Sequence, residues 1–190
     1  MIKRDLYIEQ IKPFIDKPLI KVITGIRRSG KSFILKLLKE ELLEKGVEEN
    51  QIIYLNLESL EFSEIDTTEM LYGYIREQID KEKRSYILLD EIQEVNSWER
   101  AVNSFLADFN VDIYITGSNS RLLSSELATY LTGRYVEIHL YPLSFSEYFQ
   151  FKTARTGNKK FNTKDEFETF LRMGGFPVLH IAEYPIEAAY

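Results

Sequence analysis

The run Gly25-Ile26-Arg27-Arg28-Ser29-Gly30-Lys31-Ser32 spaces two glycines, a lysine and a hydroxyl as G-x-x-x-x-G-K-[ST], a pattern suited to holding phosphate. Glycines let successive backbone N–H groups turn toward an anion, and a helix N-terminus adds partial positive charge at the same point. In such a cradle Lys31 reaches the β- and γ-phosphates and the Ser32 hydroxyl sits on Mg²⁺, with the stretch from Gly25 through Phe33 around the nucleotide. The bland alternative is a strand-to-helix turn with a chance lysine. Context disfavours it, because the run follows a branched apolar segment and opens a helical pattern.

Hydrolysis of a bound nucleotide needs a carboxylate for the metal and a group that orients or deprotonates water. Tyr86-Ile87-Leu88-Leu89-Asp90-Glu91 supplies both: the apolar residues bury a strand, Asp90 emerges at its carboxyl end as the metal acid, and Glu91 follows as general base. Alone, an apolar run ending in Asp-Glu is a common strand boundary. Downstream of a phosphate cradle it acquires a meaning.

A third polar cluster, Thr116-Gly117-Ser118-Asn119-Ser120, ends another strand. Carboxyl ends of neighbouring parallel strands line one crevice, so Ser118 or Asn119 can sense the γ-phosphate or the attacking water. The competing reading is a turn that caps the next helix. Asn56, ending the second strand, is a candidate for restraining Glu91, and Arg134, just before the fifth, for stabilising phosphoryl transfer in its own chain or in a neighbour. Arg134 also suits a surface salt bridge. Arg27 and Arg28 either touch phosphate or face solvent.

These residues need a parallel sheet covered on both faces, and strand-helix alternation through the first 140 residues builds one. Strands are expected at Leu19 to Thr24, Ile52 to Leu57, Tyr86 to Asp90, Asp112 to Thr116 and Tyr135 to Leu140. One helix carries Ile34, Leu37, Leu38 and Leu42 and stops near Gly46, another runs from Trp98 to Phe109 with Asn96 and Glu99 as a capping pair, and a third spans Ser124 to Leu131. After Pro142 an aromatic-rich stretch leads into a polar loop from Lys152 to Asn162, and then a short helix from Lys164 to Met173 begun by Thr163 and Glu166. The expected division is a nucleotide-binding core over residues 1–150 and a small helical addition, or the start of a lid, over 151–190.

Bulk composition excludes several classes. At 190 residues and 44% hydrophobic the chain buries one ordinary core, and its apolar runs fall short of the ~20 residues that span a bilayer. Charges at Asp5, Glu9 and Asp16 break any secretion-signal pattern, so a cytoplasmic location is expected by default. Cysteine is absent and only His139 and His180 are present, which excludes disulfides and disfavours zinc. A net charge of −6 argues against general attraction to nucleic acid; the basic cluster Lys152, Arg155, Lys159 and Lys160 reads as a solvated loop.

Gly25 to Ser32, Leu-Leu-Asp-Glu-Ile-Gln at 88–93, Thr-Gly-Ser-Asn-Ser at 116–120, Thr-Gly-Arg-Tyr at 132–135, Pro-Leu-Ser-Phe-Ser-Glu at 142–147 and Gly-Gly-Phe-Pro at 174–177 together resemble the AAA-type ATPases of bacteria and archaea that carry an uncharacterised C-terminal domain. The resemblance implies an α/β P-loop NTPase sandwich with a five-stranded parallel sheet in the order 5-1-4-3-2, Glu91 as the catalytic glutamate, and Asn56 and Arg134 as glutamate restraint and arginine finger. Such proteins normally continue well past the equivalent of Tyr190, so it also implies a fragment that lacks its client-recognising part. The expected activity is hydrolysis of Mg-ATP that drives or times a conformational change in an attached domain or partner. The alternatives are an ATP-binding switch or structural module with little turnover, a small-molecule kinase, and a GTP switch. The kinase reading lacks an arginine-rich lid beyond Arg121 and Arg134, and the GTP reading lacks an Asn-Lys-x-Asp loop, since Asn158-Lys159-Lys160-Phe161 has no aspartate.

Overall fold

A computed structural model describes residues 4–118, 131, 133–157, 161–177 and 180. Five strands form one parallel sheet: β1 (Ile20–Gly25), β2 (Ile52–Asn56), β3 (Ser85–Asp90), β4 (Val111–Thr116) and β5 (Tyr135–Leu140). Their spatial order is β2-β3-β4-β1-β5, as the resemblance implies, with β4 inserted between the strand that leads into the phosphate loop and the strand that carries the acidic pair. The expected strand boundaries hold to within a residue. β1, β3 and β4 are buried at every position, which follows from parallel strands covered on both faces and explains their near-continuous branched and aromatic sequences.

Helices α1 (Asp5–Ile11) and α2 (Lys31–Glu44) cover one face, and α3 (Thr68–Gln78) and α4 (Trp98–Asp108) the other. Ile34, Leu35, Leu38 and Leu42 pack with Ile23, Leu88 and Tyr114 on the first side. Leu71, Ile75, Val102 and Phe105 pack with Val22, Ile87, Leu89 and Ile113 on the second. Each such side chain contributes roughly 1.5–3 kcal/mol by leaving water. The layers form the α/β sandwich expected from the alternation.

A polar network fastens the edge of the sheet remote from the phosphate loop. Lys21 and Asp112 are both fully buried and paired; Asp112 also accepts from Tyr114 Oη at 2.7 Å and from the Asp16 backbone at 2.8 Å, while Lys21 donates to the Lys17 carbonyl at 3.1 Å. Burial lowers the Lys21 pKa against the opposing pull of Asp112. Tyr86 donates to Asp16 at 2.9 Å and its hydroxyl is pushed up to about 12, chiefly by burial. With its polar groups satisfied, the network holds the segment between α1 and β1 against the sheet.

Several local expectations are corrected. Asn96 does not cap α4: Ser97 takes the N-cap position without a side-chain bond, and Asn96 instead pairs with the Asp66 carbonyl, tying α4 to α3. The stretch Lys152–Thr156 is not loop but the end of α5 (Phe145–Thr156), begun by a capping box of Ser144 and Glu147. A continuous helix therefore crosses residue 150. The last helix, α6 (Thr163–Met173), is capped by Asn162 rather than Thr163. Glu166 turns away from that cap toward α5, where it accepts from Lys152 at 2.6 Å and Tyr148 at 2.5 Å. Lys152 is thus an ion-paired residue, not part of a solvated patch. The helix expected at Ser124 to Leu131 lies outside the described residues except for Leu131.

Two outcomes are expected. Phe105, fully buried and stacked on Tyr72 with ring centroids 5.7 Å apart, leaves a cavity when truncated; Phe105→Ala should lose about 3–5 kcal/mol in urea unfolding. Burial opposes ionisation of Glu166, but the bonds from Lys152 and Tyr148 outweigh it and hold its carboxyl below the ordinary 4.5. A depressed carboxylate contributes stability that is present above the unfolded pKa and lost as pH falls through the folded one. Melting temperature should therefore drop as pH is lowered past 4.5, and Glu166→Gln should flatten that drop.

Candidate functional site

The loop between β1 and α2 is shaped by two glycines that no other residue replaces cheaply. Gly25 has φ +152°, and a Cβ there would lie 2.5 Å from the Leu140 carbonyl of β5. Gly30, at φ +103°, forms the N-cap of α2. Arg28 is left-handed without being glycine, at φ 67°, a conformation that costs about 1–3 kcal/mol and concentrates at functional loops. Helix α2 begins at Lys31, so the N–H groups of Lys31 and Ser32 fall in its first turn, where no helical acceptor exists.

Lys31 is only 4% exposed. Its ammonium donates to the carbonyls of Gly25 at 3.2 Å and Ile26 at 3.4 Å and lies 3.5 Å from Glu91 Oε1. Glu91 arrives from the other side, at the end of β3, in a left-handed conformation with φ 54°. That turn is held by Thr116 at the end of β4, whose Oγ1 accepts from the Glu91 backbone at 2.9 Å and donates to Asp90 Oδ1 at 2.5 Å. Tyr54 on β2 donates to Asp90 Oδ2 at 3.3 Å, and burial, aided by that carboxylate, raises the Tyr54 pKa. Three strands and the first turn of α2 thus converge on one acidic pair.

Arg27, Arg28, Ser32, Glu91, Gln93 and Ser118 line one open cleft of about 470 Å³. The structure therefore brings together the loop, Lys31, Ser32, Glu91 and Ser118. Asp90 is buried beside Glu91, and Ile26 is exposed at the loop's outer edge. Phe33 packs instead against the α1–α2 side of the core. Arg27 is paired with Glu58 at 3.4 Å near the mouth. Asn119 lies outside the described residues.

Two expected partners are elsewhere. Asn56 Oδ1 accepts from the Glu58 backbone at 3.3 Å, while Glu91 is held by Lys31 and by Gln93, whose Nε2 donates to Glu91 Oε2 at 2.6 Å. Arg134 precedes β5, whose register sets Tyr135 beside Ile20 and Leu140 beside Gly25. It therefore sits a full strand from the phosphate loop, where it donates to Asn103 at 3.5 Å. It does not join the site of its own chain.

Sequence reasoning passed over Thr116, Gln93 and Arg4. Arg4, 2% exposed, donates to the Ser29 carbonyl at 3.0 Å, the Tyr141 carbonyl at 3.0 Å and Glu147 at 2.8 Å, and its guanidinium lies over the Tyr7 ring. Glu147 is the residue that also caps α5. Nothing in the spacing of Arg4 marks it; the position of Thr116 at a strand end in line with Asp90 was readable.

The Ser32 hydroxyl lines the cleft, while Asp90 is 1% exposed with Oδ1 and Oδ2 accepting from Thr116 and Tyr54; a hydroxyl and a carboxylate are hard oxygen donors of the kind Mg²⁺ takes. Among the described residues no cluster of three or more His, Cys, Asp or Glu could hold a metal ion on its own, and no helix is long and apolar enough to cross a membrane.

Known structures share this architecture. A Walker-type ATPase of Pyrococcus abyssi superposes with a TM-score of 0.65 at 17% identity, over 95% of this chain and 66% of that one. The Holliday junction branch migration motor RuvB of Thermotoga maritima gives 0.63 at 14% identity, over 95% and 60%. AMPPCP-bound DnaA of Aquifex aeolicus gives 0.62 at 13%, over 95% and 60%. At these identities the likeness speaks for the fold. Sequence relatives include an uncharacterized protein of Haemophilus influenzae, 40% identical over 98% of this chain and 46% of its own. Another, from Methanocaldococcus jannaschii, is 33% identical over 96% and 40%. The chain thus spans less than half the length of these relatives. With the family model for an AAA domain matching residues 17–149, on a sheet and loop of the P-loop kind, the chain belongs to the AAA family of P-loop ATPases.

Proposed function

We propose that the chain binds Mg-ATP at the loop from Gly25 to Phe33 and hydrolyses it, so that turnover drives or times a conformational change in an attached domain or partner. The observation that carries this reading is the approach of Lys31 and Glu91 to 3.5 Å at one cleft, beside Ser32 and Ser118. A phosphate entering the loop offers Lys31 a stronger anionic partner than Glu91. The ammonium then turns to the β- and γ-phosphates, and the carboxylate is released as a base. Glu91 takes a proton from water as its oxygen attacks the γ-phosphorus. The bond to the bridging oxygen breaks, and its electron pair leaves on the β-phosphate of ADP. Ser32 and Asp90 would hold Mg²⁺, which when bound would neutralise phosphate charge. Ser118 contributes a hydroxyl at the cleft wall, the sensing role shared in the sequence reading with Asn119.

In this reading residues 1–150 form the ATPase core and 151–190 a helical addition that α5 joins to it, in a cytoplasmic protein. Arg134, remote from its own loop, serves as the arginine finger of a neighbouring copy in an oligomer. Its distance also favours the second reading, an ATP-binding switch that turns over slowly until a neighbour engages.

Lys31→Ala should abolish binding of labelled ATP, whereas Glu91→Gln should bind it normally and lose hydrolysis by about 10²- to 10⁴-fold. Wild-type phosphate release by Glu91→Gln would remove Glu91 from the mechanism. For Arg134, a mixing experiment decides: Arg134→Ala and Lys31→Ala chains, each inactive alone, should regain activity when combined, because one supplies an intact loop and the other an intact arginine. No recovery at any ratio excludes action across an interface.

A further inference from the structure

The geometry assigns Gln93 as the residue that positions Glu91 for attack on ATP, an inference that rests on Glu91 being the base. Four observations carry it. Gln93 is two residues from Glu91, in the short helical turn Ile92–Glu94 that follows the left-handed backbone at Glu91. Its Nε2 donates to Glu91 Oε2 at 2.6 Å in a partly buried setting, a charge-assisted bond of the short and strong kind. Asn56, the other amide at a strand end, is turned to the Glu58 backbone. Gln93 and Glu91 also line the same cleft.

The carboxylate has two holds, and they differ in what nucleotide does to them. Lys31 grips Oε1 and must leave when phosphate arrives. Gln93 grips Oε2 from the same turn, needs no part of the nucleotide, and stays. Once Lys31 has gone, the amide keeps the carboxylate in one orientation and leaves Oε1 as the oxygen that takes the proton of water. An ionised carboxylate only accepts hydrogen bonds, so the amide nitrogen must face it and the amide oxygen must face elsewhere. Gln93 Oε1 is buried with no hydrogen-bond partner, and a buried orphan acceptor is costly to maintain.

The test compares Gln93→Met and Gln93→Glu with the wild-type chain in Mg-ATP hydrolysis and in equilibrium binding of labelled ATP. Methionine keeps the length and loses the donor; glutamate keeps the shape and repels Glu91. Expected is a fall in kcat of about tenfold or more for Gln93→Met, and a larger fall for Gln93→Glu, with KM and nucleotide affinity close to wild type in both. A packing role predicts the reverse order, since glutamate is the closer isostere. Wild-type kcat in Gln93→Met, or Gln93→Glu at or above Gln93→Met, overturns the assignment. Glu91→Gln run alongside separates the two levels: if it is inactive while Gln93→Met is normal, only the role of Gln93 falls, whereas a fully active Glu91→Gln removes the base itself.

Discussion

A lysine ammonium enclosed to 4% exposure cannot stand without an anion, and most of the site follows from that requirement. Lys31 lies in the first turn of α2, so its charge is fixed at the carboxyl edge of the sheet. Glu91 answers it there, which demands the left-handed turn after β3, and the Thr116 hydroxyl on β4 holds that turn. Because β4 is inserted between β1 and β3, Thr116 stands between loop and acid, where one hydroxyl serves both Asp90 and the Glu91 backbone. The ion pair also sets the chemistry. In the proposed reaction a stronger anion takes the place of Glu91 on Lys31, which would couple occupancy of the loop to release of the carboxylate through one charge.

How much of this was legible depended on the range of the interaction. The strands were readable because parallel strands buried on two faces write themselves as branched apolar runs such as Tyr86-Ile87-Leu88-Leu89, and the phosphate loop because its spacing is set by backbone geometry. Helix boundaries read from capping patterns fared worse. Asn96 and Thr163 each sit beside a plausible capping partner, Glu99 and Glu166, yet the partners are buried, Glu166 in an ion pair with α5. Ser144 and Glu147, which do form a box, lay inside a stretch read for its aromatics and its family motif rather than as a cap. A local motif predicts a cap only when tertiary contacts make no stronger claim on the same carboxylate. Helix α3 went unread although Thr67 caps it and Leu71 and Ile75 mark its buried face.

The site divides along the same line. Lys31, Ser32, Glu91 and Ser118 were nameable from strand ends, because the carboxyl ends of parallel strands must share a crevice. Asn56 also stands at a strand end, yet its amide closes a local turn with Glu58, and position alone could not say which amide reaches Glu91. Arg134 illustrates the converse: it precedes a parallel strand whereas the loop follows one, so it falls at the opposite edge of the sheet, a consequence of strand direction that the sequence already contained. Arg4 was invisible because its partners lie at Ser29, Tyr141 and Glu147, joined by no pattern along the chain.

That arginine gives the loop a mechanical property. One rigid, planar guanidinium grips the outer carbonyl of the phosphate loop with one nitrogen and the capping carboxylate of α5 with another. A shift of the Ser29 carbonyl when the loop closes on an anion must then be taken up either by loss of a buried ionic hydrogen bond or by tilting α5 at its first turn. Arg4 thus ties the outer carbonyl of the phosphate loop and the first turn of α5 to one rigid group, so neither can shift without the other or without loss of a buried ionic bond.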